Sequence, residues 1–177
     1  MKHGVYVREQ KTSVSTPVVA ESGVPFVVGT APVHSAESPA ALFTPVLCTD
    51  WEDAVKKLGY SDDWKTYTIC EVMYSHFKLF QRQPIIFCNV LDPSTNKEAV
   101  AGAEVTLSGK QAKLPFDAIL SSLVVKAASS SESALVKDTD YAAYYSDGNL
   151  IVETIEDGAA KAATKLYISY DKIKTAD

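Results

Sequence analysis

Long hydrophobic runs are missing from this chain: no stretch approaches the roughly 18 apolar residues that a membrane-crossing helix requires. The amino terminus, MKHGVYVREQ, likewise lacks the continuous apolar segment of a secretory signal, so the sequence predicts a soluble chain made inside the cell, with no membrane insertion. Basic charge is also short. Seventeen Lys and Arg stand against 22 Asp and Glu, a net charge of -5 with no basic block, and this removes the electrostatic footprint that DNA, RNA or an anionic membrane would need. Nucleic acid is not expected as a partner. Cysteine is scarce and odd in number. Cys48, Cys70 and Cys88 are widely spaced, without a CxxC or CxxH pair, so neither a disulfide framework nor a zinc site is expected. Each lies among apolar neighbours, where a thiol behaves as a small buried hydrophobe.

Sequence motifs that tie residue spacing to a reaction are absent as well. There is no G-x-G-x-x-G, no G-x-x-x-x-G-K-S/T, no G-x-S-x-G and no H-E-x-x-H. His3, His34 and His76 fall on an arm, a loop and a helix, none at ligand spacing from a Cys or carboxylate. Ser75, His76 and Asp92 could form a triad only by meeting in space, a combination that any chain of this size offers. Asp62-Asp63 and Glu156-Asp157 stand beside turn residues and read as solvated loop charges. The expectation is a protein that is not an enzyme, with no catalytic residue, no metal and no cofactor.

What the chain does have is enough apolar material, 46% of its 177 residues, to bury a core. Residues 1–15 read as an extended arm, with Gly4-Val5-Tyr6-Val7 ahead of the charged Arg8, Glu9 and Lys11. Phe26-Val27-Val28, between Pro25 and Gly29, reads as a strand buried on both faces. A loop rich in Ala, Pro and Ser follows, and then Thr49-Asp50-Trp51-Glu52 has the pattern of a capping box, Thr49 serving the amide of Glu52. Trp51, Ala54, Val55 and Leu58 share one helical face, and Gly59 sits where a left-handed cap is wanted. A second helix is predicted over 65–81, and Ile85 to Leu91 reads as a buried strand after Pro84.

The turn cluster Asp92-Pro93-Ser94-Thr95-Asn96 marks a change from helical to strand period. Val105 to Leu107, Leu123 to Val125, Leu135-Val136, Leu150 to Val152 and Leu166 to Tyr170 are short β-type runs, and Asp147-Gly148 is a hairpin turn. The predicted class is α+β. Residues 16–93 make an incomplete α/β domain in the order strand, helix, helix, strand, and residues 94–177 make a small all-β domain, sandwich-like or barrel-like. A sheet of two strands cannot stand alone, so something further is expected to complete it.

Two stretches together resemble one family, the sheath proteins of contractile phage tails and related contractile injection systems, tailocins included. The first runs Gly4-Val5-Tyr6-Val7-Arg8-Glu9, then Val24-Pro25-Phe26-Val27-Val28-Gly29-Thr30-Ala31-Pro32, then Thr44-Pro45-Val46-Leu47 into Trp51 to Gly59. The second is Leu114-Pro115, Val124-Val125-Lys126, Asp140-Tyr141 and Ser146-Asp147-Gly148, similar to the inserted β domain of many sheath proteins. Sheath proteins continue into a carboxyl-terminal region that completes the α/β domain and touches the inner tube, so the chain is expected to match their amino-terminal portion.

The resemblance implies a structural subunit of a helical homo-oligomer that surrounds a tail tube, meets a baseplate and contracts to drive the tube through the target envelope. Its place would be a virion tail or contractile particle assembled in the bacterial cytoplasm. Gly4, Val5, Tyr6, Val7, Arg8 and Glu9 would then pair as a strand with a neighbouring subunit. The alternative is a β-sandwich binding module that recognises a glycan or host surface through Tyr141, Tyr144, Tyr145, Tyr167 and Tyr170. A hydrolase fragment is a third reading, against which the missing nucleophile turn counts.

Overall fold

A computed structural model describes residues 23–127 and 133–174, and the arm from Gly4 to Glu9 lies outside the described residues. The first half builds a three-stranded sheet in the order β1-β3-β2, from β1 (Phe26–Gly29), β2 (Val46–Cys48) and β3 (Ile85–Asn89). β1 runs parallel to β3 and β2 antiparallel to it. The predicted order strand, helix, helix, strand therefore gains a strand, β2, which its three residues were too few to announce. β1 also departs from expectation. It is buried on neither side in full, because Phe26 and Val28 are 53% and 57% exposed while Val27 packs inward.

Helix α1 (Trp51–Leu58) starts one residue later than the capping box places it. Asp50, not Thr49, is the cap: its Oδ1 accepts from the Asp53 amide at 2.8 Å, while Asp53 Oδ2 accepts from the Thr49 amide at 3.2 Å. The arrangement is a variant of the capping box in which the returning side chain, Asp53, takes the amide of Thr49, one residue ahead of the cap. Ala54 and Leu58 are fully buried and Trp51 and Val55 pack beside them, as the helical period requires. The helix stops at Gly59, whose φ of 74° and ψ of 175° lie outside the left-handed helical basin, in a region open only to glycine. Its last carbonyls are used by the Ala/Pro/Ser loop, since the Ser38 and Ala40 amides donate to Lys56 O and Lys57 O at 3.0 and 2.8 Å.

The second helix is shorter than predicted and changes character. It begins at α2 (Thr68–Met73), because Tyr67 turns away to another contact, and continues over Tyr74–Leu79 as a π-helix with Phe80 N–H donating to Ser75 O. Phe77 reaches the core and meets Phe87 at 6.4 Å between ring centroids, whereas Leu79 and Phe80 are left exposed.

The second half holds two antiparallel sheets, ordered β4-β9-β6 and β5-β8-β7. The strands are β4 (Lys97–Thr106), β5 (Gln111–Pro115), β6 (Val124–Lys126), β7 (Tyr141–Ser146), β8 (Asn149–Thr154) and β9 (Lys165–Ile173). The hairpin at Asp147-Gly148 is present, with φ of 49° and 68° at its two residues and Ser146 opposite Asn149. Leu135-Val136 is not a strand: the Val136 amide and carbonyl are both taken by the side chain and amide of Asp140 in a local turn. Inward residues of both sheets, among them Leu114, Val125, Leu150, Val152, Leu166 and Ile168, meet in one buried cluster. A separate cluster, built from Ala31, Leu58, Ile69, Met73, Ile85 and Phe87, underlies the first sheet.

Candidate functional site

The first sheet has one covered and one bare face. Strand pairing places Val27, Phe87 and Val46 in one row and Ile85 beside Cys48, and these residues turn toward α1 and α2. The next row along, Phe26, Ile86 and Leu47, points the other way, with Val28 beside Cys88. Phe26, Val28 and Leu47 are 53%, 57% and 48% exposed, while Ile86 and Cys88 between them on the central strand are half-buried and buried. Parallel pairing of the β1 and β3 kind ordinarily occurs in sheets covered on both sides, because the strands are apolar on both sides. Covering these three side chains would contribute on the order of 5 kcal/mol. β1 and β2 each pair with β3 alone, so both lateral edges of the sheet are open among the described residues.

The sheet is held against its helices by the turn Gly29-Thr30-Ala31-Pro32. Thr30 Oγ1 donates to Thr66 O at 2.6 Å and accepts from the Thr68 amide at 3.0 Å, and the Thr30 amide donates to Thr68 Oγ1 at 3.1 Å. The Ala31 amide donates to Asn89 Oδ1 at 2.9 Å. Asn89 is 2% exposed, and it also accepts from the Leu91 amide and donates to Leu91 O, so both its oxygen and its nitrogen are engaged. Gly29 has no room for a side chain, because a Cβ there would stand 2.5 Å from Thr68 Oγ1. This turn lies within the family-like stretch Val24 to Pro32, whereas the role of Asn89, 58 residues on from Ala31, carries no local signal.

The other residues singled out above do not converge. Ser75 Oγ donates to Val72 O and the Asp92 carboxylate accepts from the amide and hydroxyl of Ser94, so both are engaged in their own turns. Asp62 accepts from the Tyr60 hydroxyl, Asp63 from the Thr66 amide, and Glu156 pairs with Lys110. Cys48, Cys70 and Cys88 are buried and unbridged, and burial raises the first two thiols to about 11. No group of three or more His, Cys, Asp or Glu among the described residues could hold a metal ion. Tyr141 and Tyr170 are core residues, Tyr145 donates to Ala118 O, and Tyr144 and Tyr167 give their hydroxyls to Glu153 and Glu104 on two different sheets. No helix of the described residues is long and apolar enough to cross a membrane.

Compared with protein families, with curated proteins and with solved structures, the chain matches none.

Proposed function

We propose that the chain is a structural subunit, or the amino-terminal portion of one, of a contractile tail sheath. The observation that carries this reading is the small first sheet, with apolar side chains half exposed on its outer face and both edges open among the described residues, in a chain whose motifs follow the sheath order. A sheet of this kind asks for a further strand or layer. The sequence of residues 3–9 would suit an added strand on a neighbouring subunit, since in an extended segment Val5 and Val7 would share one side and Tyr6 would take the other. Head-to-tail contacts of this type are heterologous and do not close, which is the symmetry condition for a helical filament around a tail tube. Linked arms let rigid bodies rotate and slide while the subunits remain joined. Contraction then draws on a kinetically trapped assembly and needs no nucleotide. The glycan-binding reading has less support, since the tyrosines it relies on are divided between core and two sheets.

Deleting residues 1–10 is expected to leave a folded subunit that no longer forms hollow cylinders in electron micrographs. Val5→Pro, which removes a ladder donor, should weaken assembly in the same direction. Normal cylinders from the deleted subunit would refute the pairing, and saturable glycan binding without any polymer would favour the alternative.

A further inference from the structure

The two halves of the chain meet around one imidazole. His34, in the 3-10 turn Val33–Ser35, bonds through Nε2 to Phe116 O at 3.1 Å. A carbonyl only accepts, so Nε2 carries the proton and Nδ1 is left with a lone pair. Nδ1 is buried without a hydrogen-bond partner among the described residues. Tyr67, Phe116 and Tyr145 surround the ring, at 6.1, 5.5 and 5.8 Å between centroids. Beside it the Tyr67 hydroxyl donates to Asp117 Oδ1 at 2.9 Å, a second side-chain bond from the first half to the second. Phe116 and Asp117 are themselves anchored, because the loop they open joins β9 through Ile119 N–H to Asp171 O and Ile173 N–H to Asp117 O. A cleft of about 480 Å³ lies alongside, lined by His34, Leu42, Pro93, Ile119, Leu120 and Tyr145.

We infer that this joint is an acid-sensitive latch. Protonation of His34 creates a second N–H with no acceptor in reach, so the ring leaves its aromatic box for the cleft, where water can solvate it, and the two halves part at this point. The groups facing the ring are Tyr67 ahead of α2, Tyr145 on β7, and Phe116 and Asp117 on the loop after β5. Asp117 is the charged one. Burial lowers the affinity of the ring for a proton, and the Phe116 carbonyl and the Asp117 carboxylate offset this only in part, so His34 titrates below its ordinary 6.5. The closed joint therefore binds fewer protons than the open one. Its stability is fully present above about pH 6.5 and falls as pH drops from there through the folded value, by up to about tenfold in the closing equilibrium per pH unit. Carboxylates contribute in a separate and lower window: backbone bonds from Ala159 and Val136 hold Asp140 below its usual 3.8. This inference does not depend on the sheath reading.

The test is a pH titration of the full chain from 7.5 to about 5, a span set by the ordinary imidazole value. Carbon-detected NMR of the histidine rings follows His34, while hydrogen exchange, corrected for intrinsic rates, follows residues 33–36 and 116–120. The expected result is a His34 midpoint below that of the imidazoles in the unfolded chain, with protection of both segments lost along the same curve. In His34→Gln, whose amide can donate to Phe116 O without titrating, protection should be flat over this range. A His34 midpoint at or above the unfolded value, protection in the wild type that ignores the titration, or an unchanged acid response in His34→Gln would each overturn the latch. Should His34→Gln fail to fold, the two wild-type curves decide alone.

Discussion

Asn89 shows how much one amide can carry at the residue scale. It closes β3 and ties the exit of β1 to the chain leaving β3, accepting from Ala31 and Leu91 while donating to Leu91 O. Asn89→Leu keeps the volume and leaves the buried Ala31 amide and the part-buried Leu91 amide without acceptors. Such groups cost about 1–3 kcal/mol each, so a loss of about 2–4 kcal/mol is expected in chemical denaturation, with the slope of the transition unchanged. A loss below about 1 kcal/mol would mean that water replaces the side chain. Gly59 is the opposite case, legible in advance. Its position after an apolar helical face announced a residue with positive φ, although a Cβ there would also run into Pro32 O and Ser35 Oγ, which only packing could reveal.

At the scale of elements, amphipathic period and burial agree for α1 and part for β1. In α1 the charged residues Glu52, Lys56 and Lys57 separate cleanly from Ala54 and Leu58. Strand β1 offers apolar side chains to both sides, and only one side is covered. A consequence can be measured by comparing the two faces. Leu47→Thr, on the bare face, is expected to change the unfolding midpoint by no more than about 0.5 kcal/mol, whereas Phe87→Ala beneath the helices should cost about 3–5 kcal/mol. Comparable losses at the two positions would show that the bare face is covered within the isolated chain. If the proposed sheath role holds, Leu47→Thr should instead show its effect in assembly, by impairing polymer formation.

For the molecule as a whole, the decisive contacts lie between the halves. Tyr67 is fully buried, and its hydroxyl reaches across to Asp117, which explains why the second helix begins at Thr68 instead of near residue 65. Burial, reinforced by the nearby Asp117 carboxylate, raises this phenol far above its ordinary value, so it remains a donor at every working pH. Tyr67→Phe preserves the ring stack and removes that donor, leaving a carboxylate short of one bond. Calorimetry should then resolve two unfolding steps or lower a single midpoint, for a cost of about 1–3 kcal/mol. A midpoint within error of the wild type would place the strength of the joint in the rings alone.

By itself, the sequence determined the elements whose physics is local. The period of Trp51 to Leu58, the Asp147-Gly148 turn, the apolar run of β3 and the change of texture after Asp92 depend on neighbours a few residues away, and the mixed α+β class follows from them. Tertiary structure decided what depends on distant partners. The three residues of β2 become a strand only because β3 offers them a ladder, whereas the diversion of Leu135-Val136 by Asp140 and the shift of the α1 cap to Asp50 are local choices between competing short-range bonds. His34 looked like a loop histidine because its environment is assembled from residues 67, 116 and 145, and the bare sheet face was invisible because nothing in an apolar strand says which of its sides will be covered. Local patterns fix conformation through short-range sterics and hydrogen bonds; which surfaces meet is set by packing between segments far apart in the chain.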